Sequence, residues 1–190
     1  MDKNSIRAEM RIRRKAVSPE EKSAAEAMIC GKLKSHMDTY GTETIVAAYL
    51  ASQDEICLDS FIAQALRDGR QVVAPRWNGH MYELARLRGL DGTCLRRGPM
   101  GIREPVAADM VLPEDVGVWL VPGLAFTADG RRLGYGGGWY DRLLASASAD
   151  SEKLGIAYRF QVLDALPHES HDIPLTAVVC NDLVDYDVRI

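Results

Sequence analysis

No run in this chain approaches the roughly 18 apolar residues of a helical membrane span, so no membrane association is expected. Cysteine is sparse and scattered: Cys30, Cys57, Cys94 and Cys180 form no C-x-x-C pair and have no histidine partner close by in sequence. That spacing argues against a zinc site and suits ordinary thiols in a reducing compartment. An excess of positive charge is also missing. The 23 lysines and arginines stand against 27 aspartates and glutamates, a net charge of −4, so a basic shell for a nucleic-acid backbone is not expected. The first fifteen residues carry Lys3, Arg7, Arg11, Arg13, Arg14 and Lys15 with no apolar stretch behind them, unlike a secretion signal, and a cytoplasmic location is expected. There is no internal repeat and no low-complexity linker.

What is present is ordinary globular material. With 190 residues, 47% hydrophobic and 26% charged, the chain is expected to form one domain over residues 1–190 with a substantial core. Residues 3–15 read as a basic helix, with Ile6, Met10 and the Arg13 stem along one face and Arg7, Arg11 and Arg14 along another. Ser18-Pro19-Glu20-Glu21 supplies an N-cap, a proline at the first helical position and an acid two places on, opening a second helix to about Met37. Residues 44–50 read as a buried strand, 58–66 as a helix, and 71–74 as a strand ended by Pro75, an order that implies a parallel crossover. Residues 77–95 read as a small antiparallel excursion. Strands over 116–121, 153–158 and 175–179 and a helix over 139–147 follow. The order predicts an α/β fold: a mostly parallel central sheet with helices on both faces, a Rossmann-like three-layer sandwich.

The densest chemical signal lies in residues 122–142. Gly134, Gly136, Gly137 and Gly138 let successive backbone N–H groups curl around an anion, and the following helix adds its positive end. No Lys-Ser/Thr follows, so this is no Walker A loop, and the spacing and downstream acid of a dinucleotide fingerprint are missing too. Arg131, Arg132 and Arg142 bracket the loop with phosphate-binding forks, though Arg142 has an equal claim to solvent. Asp141, in the first turn of the helix, suits either a cap or a magnesium ion shared with phosphates. The plainer alternative is a turn whose glycines relieve crowding.

The amino-terminal cations are either a solvated face or a phosphate clamp, with Lys3 and Arg7 the candidates for the latter. Glu55 follows the first strand at the end of the sheet where open α/β folds bind ligands, yet an acid there is often only a cap. His168 and His171 lack a third soft ligand for zinc, and Asp172 is better suited to magnesium. Trp77, Trp119 and Tyr49 read as core, while Trp139, beside the glycines, is the aromatic placed to touch a planar ligand.

Residues 122–142 resemble the signature of the 5-formyltetrahydrofolate cyclo-ligase (methenyltetrahydrofolate synthetase) family. Lys3-x-x-x-Arg7, Tyr49-Leu50 with Glu55-Ile56, Pro75-Arg76, Ile102-x-Glu104-Pro105 and His171-Asp172 fall in that family's order, so the resemblance covers nearly the whole chain. It implies an enzyme that uses ATP and Mg2+ to convert 5-formyltetrahydrofolate, polyglutamylated or not, to 5,10-methenyltetrahydrofolate with release of ADP and phosphate. It implies nucleotide contacts from Lys3, Arg7, Arg132, Leu133, Gly134, Tyr135, Gly136, Gly137, Gly138, Trp139 and Tyr140, with Arg132 and Tyr140 the catalytic candidates. Folate contacts fall on Leu50, Glu55, Tyr135 and Trp139, and magnesium on Asp141 and Asp172. A monomer is expected, with no nucleic-acid partner.

Three departures from the family's usual pattern stand out: Thr127 stands for an aspartate, Trp139 for a tyrosine, and Cys180-Asn181 for threonine-glutamate. Two other readings share these features: an ATP-dependent enzyme for a different folate-like or thiamine-related molecule, and a non-enzymatic nucleotide- or RNA-binding module using the first helix.

Overall fold

The computed structural model describes residues 2–52, 54–167, 169, 172–182 and 186–187. Helix α1 (Lys3–Lys15) begins at Asp2, whose carboxylate accepts the backbone N–H groups of Asn4 and Ser5 at 2.8 and 3.1 Å. Its last turn carries Arg13, Arg14 and Lys15 at the negative end of the helix dipole. Helix α2 (Pro19–Met37) opens on a complete capping box: Glu21 N–H donates to Ser18 Oγ at 3.2 Å, and Ser18 N–H donates to the Glu21 carboxylate at 2.9 Å. Both helices keep the bounds expected from sequence.

The remaining elements are β1 (Ile45–Ala47), α3 (Asp59–Arg67), β2 (Val72–Trp77), β3 (Tyr82–Arg86), β4 (Leu95–Arg97), β5 (Arg103–Pro105), β6 (Met110–Val111), β7 (Val116–Val121), β8 (Ala125–Thr127), β9 (Arg132–Leu133), α4 (Trp139–Leu144), β10 (Glu152–Ala157), β11 (Val162–Leu163), β12 (Ala177–Cys180) and β13 (Tyr186–Asp187). The main sheet runs β13-β12-β10-β7-β1-β2-β3-β6. Its five central strands are mutually parallel, and β13, β3 and β6 join antiparallel at the edges. Smaller sheets pair β11-β8-β9 and β4-β5.

Alternation builds two cores. Val46, Val118, Leu120, Leu154 and Ile156 face α2 and α3 and pack with Ile29, Leu33, Phe61 and Ile62. Ala47, Trp119, Val121, Ala157 and Val178 face the other way and pack with Leu143 and Leu144 of α4. Successive side chains of a strand point to opposite faces, so a strand buried on both sides reads as an unbroken apolar run, as Val116–Val121 does. Trp119 and Tyr49 are buried here, as read from sequence.

Helix α1 stands apart from both layers. Its Ile6 and Met10 pack against Leu124, Ala125, Leu133 and Leu166, so it lies on the small β11-β8-β9 sheet rather than on the main one. The Arg14 side chain shares that buried stripe, four residues after Met10, and the residue is only 6% exposed. The sequence reading that placed Arg14 with Arg7 and Arg11 on an outer face is therefore corrected. Arg13, assigned there to the inner face, instead lays its guanidinium over the Phe160 ring at 4.7 Å.

Three element ends also differ by three residues. β1 ends at Ala47, short of residue 50. β2 does not stop at Pro75 but runs through it to Trp77, because the β1–β2 ladder has already ended at Ala47 and Val73. Pro75 has no N–H to give on that side, while β3 pairs with the opposite edge as far as Trp77 and Tyr82. α4 ends at Leu144, and residues 145–147 continue as turns.

Candidate active site

The strand order reverses between β1 and β7: the chain moves outward from β1 to β2 on one side and from β7 to β10 and β12 on the other. The loops leaving the carboxyl ends of these two strands face a common crevice, the position at which open α/β sheets bind ligands. The first carries Leu50 and Glu55, and the second leads through β8 and β9 to the glycine-rich segment.

The glycine segment hangs between β9 and α4. Gly136 and Gly138 adopt φ values of +105° and +63°, which favour glycine, and Gly138 caps α4 with no side-chain acceptor for the first-turn N–H groups. A side-chain carbon at Gly136 would lie 3.7 Å from the Arg7 guanidinium carbon, so the α1 cation lies directly against the loop. Arg7 Nε donates to the Gly134 carbonyl at 3.0 Å and Nη1 to Asn4 at 2.9 Å. Lys3 lies one turn earlier and is held by Glu169 at 2.7 Å and Asp172 at 3.6 Å, which push its ammonium pKa up, the Glu169 hydrogen bond foremost.

Opposite the loop, Glu55 is 8% exposed. One carboxylate oxygen accepts Ser52 N–H at 2.7 Å and the other the Tyr135 hydroxyl at 2.6 Å. Arg14 donates to that same hydroxyl oxygen and, through Nε, to the Asp54 carbonyl at 2.8 Å. A buried relay of Arg14, Tyr135 and Glu55 thus joins α1, the glycine loop and the β1 loop. Burial, then the Glu55 carboxylate, raises the Tyr135 phenol pKa. Tyr140 is raised by the same two causes in the same order, with Arg132 opposing. Both phenols therefore remain hydrogen-bond donors near neutral pH.

The Arg132 side chain is almost wholly buried; Nη2 pairs with Asp141 and Nη1 points at the Pro122 carbonyl, 3.4 Å away. Arg131 turns outward to Asp129 at 2.9 Å, and Arg142 stacks over Trp139 at 4.1 Å while donating to the Gly137 carbonyl. Trp139 also meets Trp77 and Tyr82 edge-on at 5.1 and 5.6 Å, so Trp77, read as core, instead sits half-buried beside the site. Leu50 lies in the core with 3% exposure. Asp172 accepts the Glu169 backbone N–H at 2.8 Å and lies against Lys3, so Asp141 and Asp172 are each held by a different cation. His168 and His171 are outside the described residues, and among the described residues no group of three His, Cys, Asp or Glu side chains could hold a metal ion.

Sequence reasoning missed two contributors. Arg14 continues the i, i+4 spacing of Ile6 and Met10, a signal that its charge and its cationic neighbours outweighed. Gln161, 2% exposed, donates to the Gly123 and Leu124 carbonyls at 3.0 and 2.9 Å and so fixes the start of the loop, with no signal in the sequence. Thr127 is explained by its turn: its hydroxyl donates to Asp129 and accepts Arg131 N–H at 3.1 Å.

A family model for 5-formyltetrahydrofolate cyclo-ligases matches residues 1–181. The chain belongs to the 5-formyltetrahydrofolate cyclo-ligase family. Among curated relatives, the cyclo-ligase of Escherichia coli K12 is 30% identical, over 90% of this chain and 95% of that protein. That of Mus musculus is 26% identical, over 95% and 94%. The solution structure of Aquifex aeolicus 5,10-methenyltetrahydrofolate synthetase superposes with a TM-score of 0.86 at 33% identity, covering 100% of this chain and 94% of that one. A Mycoplasma pneumoniae synthetase superposes with a TM-score of 0.76 at 26% identity, over 94% and 98%. The cyclo-ligase fold thus accounts for the whole α/β arrangement, α1 included.

Proposed function

We propose that this chain closes 5-formyltetrahydrofolate to 5,10-methenyltetrahydrofolate at the expense of ATP, releasing ADP and phosphate. The observation that carries the reading is the convergence of Arg7, the glycine loop and the Arg14–Tyr135–Glu55 relay on the crevice between β1 and β7. An N-formyl amide is a poor electrophile. Attack of its oxygen on the γ-phosphorus, with ADP leaving, converts that oxygen into part of a phosphate leaving group. N10 then attacks the formyl carbon, loses its proton, and phosphate departs with the former formyl oxygen. No protein nucleophile is needed.

In this reading the loop N–H groups of residues 134–138, with Arg7, Arg132 and Lys3, hold and neutralise the phosphates. Tyr140, protonated at working pH, donates toward the transferring phosphoryl. Glu55 and Tyr135 orient the N–H groups of the folate, and Trp139 and Leu50 shape the wall beside it. Asp141 fits magnesium as a carboxylate ligand of a hard ion that keeps most of its waters and takes other oxygens from phosphate. Magnesium would supply charge neutralisation at the phosphates. Asp172, beside Lys3, is the second proposed carboxylate. The experiment is formation of the methenyl product, followed by its near-ultraviolet absorbance, with ATP and Mg2+ omitted in turn. Product that requires both supports the reading; folded, ATP-binding protein that forms none refutes it.

A further inference from the structure

Backbone pairing in the sheets is interrupted where the chain leaves β7 for the site. The parallel ladder between β7 and β10 ends at Val121 and Gly155, and the ladder between β8 and β11 begins at Phe126 and Val162. Between the two ladders the segment 122–124 is buried, so its backbone groups need other partners. Gln161, at the end of a one-turn helix over Arg159–Gln161, supplies two of them from its side chain. Tyr158 N–H donates to Oε1 at 2.9 Å, which orients the amide so that Nε2 donates to the Gly123 and Leu124 carbonyls. Both amide hydrogens are then taken, and this side chain has no donor left for a ligand.

The segment that Gln161 holds is the seat of Arg132. A side-chain carbon at Gly123 would lie 3.1 Å from Arg132 Cγ, so the stem of the arginine rests on that glycine. Its Nη1 points at the Pro122 carbonyl, and its Nη2 pairs with Asp141. Its Nε is buried and meets no acceptor among the described residues, so packing against the backbone does much of the holding. Leu124 N–H donates to the Leu133 carbonyl at 2.8 Å, which ties the same segment to the residue after Arg132. A shift of residues 123–124 therefore moves both the stem of Arg132 and the residue beside it.

We propose that Gln161 is a positioning residue for phosphoryl transfer: through the backbone at Gly123 and Leu124 it sets Arg132 against the transferring group, without touching either substrate. This rests on the cyclo-ligase reading, in which Arg132 neutralises charge at the phosphates. The effect falls on kcat. Lys3 and Arg7 hold ATP from α1, whose seat includes Ala125, Leu133 and Leu166 besides Leu124, so ground-state binding tolerates a small shift of the segment. In-line transfer does not, since an error of about 1 Å in a charge-stabilising group is felt in the transition state.

The test is a double-mutant cycle in the intact chain, read by product absorbance with ATP and 5-formyltetrahydrofolate each varied. Gln161→Met keeps the length of the side chain and loses both donors. It is expected to lower kcat about tenfold and to leave both Michaelis constants within about threefold. Gln161→Glu keeps an oxygen for Tyr158 N–H but also loses the donors, and should lower kcat at least as far. In an Arg132→Lys background, Gln161→Met is expected to cost less than about twofold more, because the two residues act as a unit. A folded Gln161→Met with unchanged kcat overturns the proposal, as does a change confined to the Michaelis constants. So does a Gln161→Glu that turns over like the wild type, or a full tenfold loss added to that of Arg132→Lys. Failure of both Gln161 variants to fold overturns it too, since the residue would then serve the fold alone. A wild type that forms no methenyl product removes the cyclo-ligase reading itself; product from the wild type with any of the other adverse outcomes removes this assignment alone.

Discussion

Arg7 and Glu55 approach the same crevice from different elements, and their substitutions should separate. Arg7 touches the loop through the Gly134 carbonyl and faces Gly136, so Arg7→Ala is expected to raise the ATP KM about tenfold while changing the folate KM little. Steady-state kinetics with each substrate varied decides it, and equal small effects on both would reject the clamp. Glu55→Gln should show the reverse, damaging folate use with ATP binding intact; loss confined to ATP binding would reassign the residue. Tyr135→Phe removes the hydroxyl that both Arg14 and Glu55 use and leaves two buried charged groups each short of a partner. A loss of about tenfold in kcat/KM for the folate is expected, corresponding to roughly 1.4 kcal/mol. An unchanged kcat/KM would show that the relay is dispensable. Arg14 marks where local reading failed: a cation in a run of cations looks solvated until the fold supplies a phenol and a carbonyl to receive it.

At the scale of elements, α1 is the piece whose docking decides the site. Its apolar residues Ile6 and Met10 seat it on the β11-β8-β9 sheet, and that seating brings Arg7 to the loop and Arg14 to Tyr135 in one rigid body. Met10, 1% exposed, can be shortened without touching either cation. Met10→Ala is expected to destabilise the fold by about 2–5 kcal/mol through the cavity it leaves. In the fraction that stays folded, it should raise the ATP and folate Michaelis constants together, unlike Arg7→Ala. A thermal melt paired with kinetics checks both halves, and a rise in the ATP constant alone would mean that α1 does not move as a unit. The bounds of α1 and α2 were legible because their caps are local chemistry: an aspartate or serine accepting N–H groups two or three residues on. The end of β2 was not, because Pro75 is tolerated only where the neighbouring strand has stopped, a fact of strand pairing.

Across the molecule, burial sets an alkaline limit. Tyr40 and Tyr158 are pushed to about 12, the first by burial and then Glu152, the second by burial and then Glu26. Tyr49, Tyr135 and Tyr140 are shifted upward as well, burial again the largest cause. A folded pKa above the unfolded 10.0 means that the native state holds its proton longer. The resulting stability is fully present below pH 10.0 and is lost as pH rises from there through the folded values. Tyrosinate absorbance should therefore lag behind that of free tyrosine and then rise together with loss of secondary structure. Smooth titration of every tyrosine in folded protein near its ordinary value would contradict this.

The sequence by itself determined the local and repeating features: the two capped helices, the doubly buried strand Val116–Val121, the anion-ready glycine loop, and the order of motifs that marks the family. Each follows from neighbours within a few residues, where backbone hydrogen bonding and the period of the apolar pattern leave little choice. The tertiary structure alone decided which cation turns inward and which acid has its oxygens already engaged. Those outcomes depend on residues far apart in the chain, such as Arg14 with Tyr135 and Glu55 with Tyr135. A buried charge takes the partner that folding brings to it, and no local spacing announces which one that is.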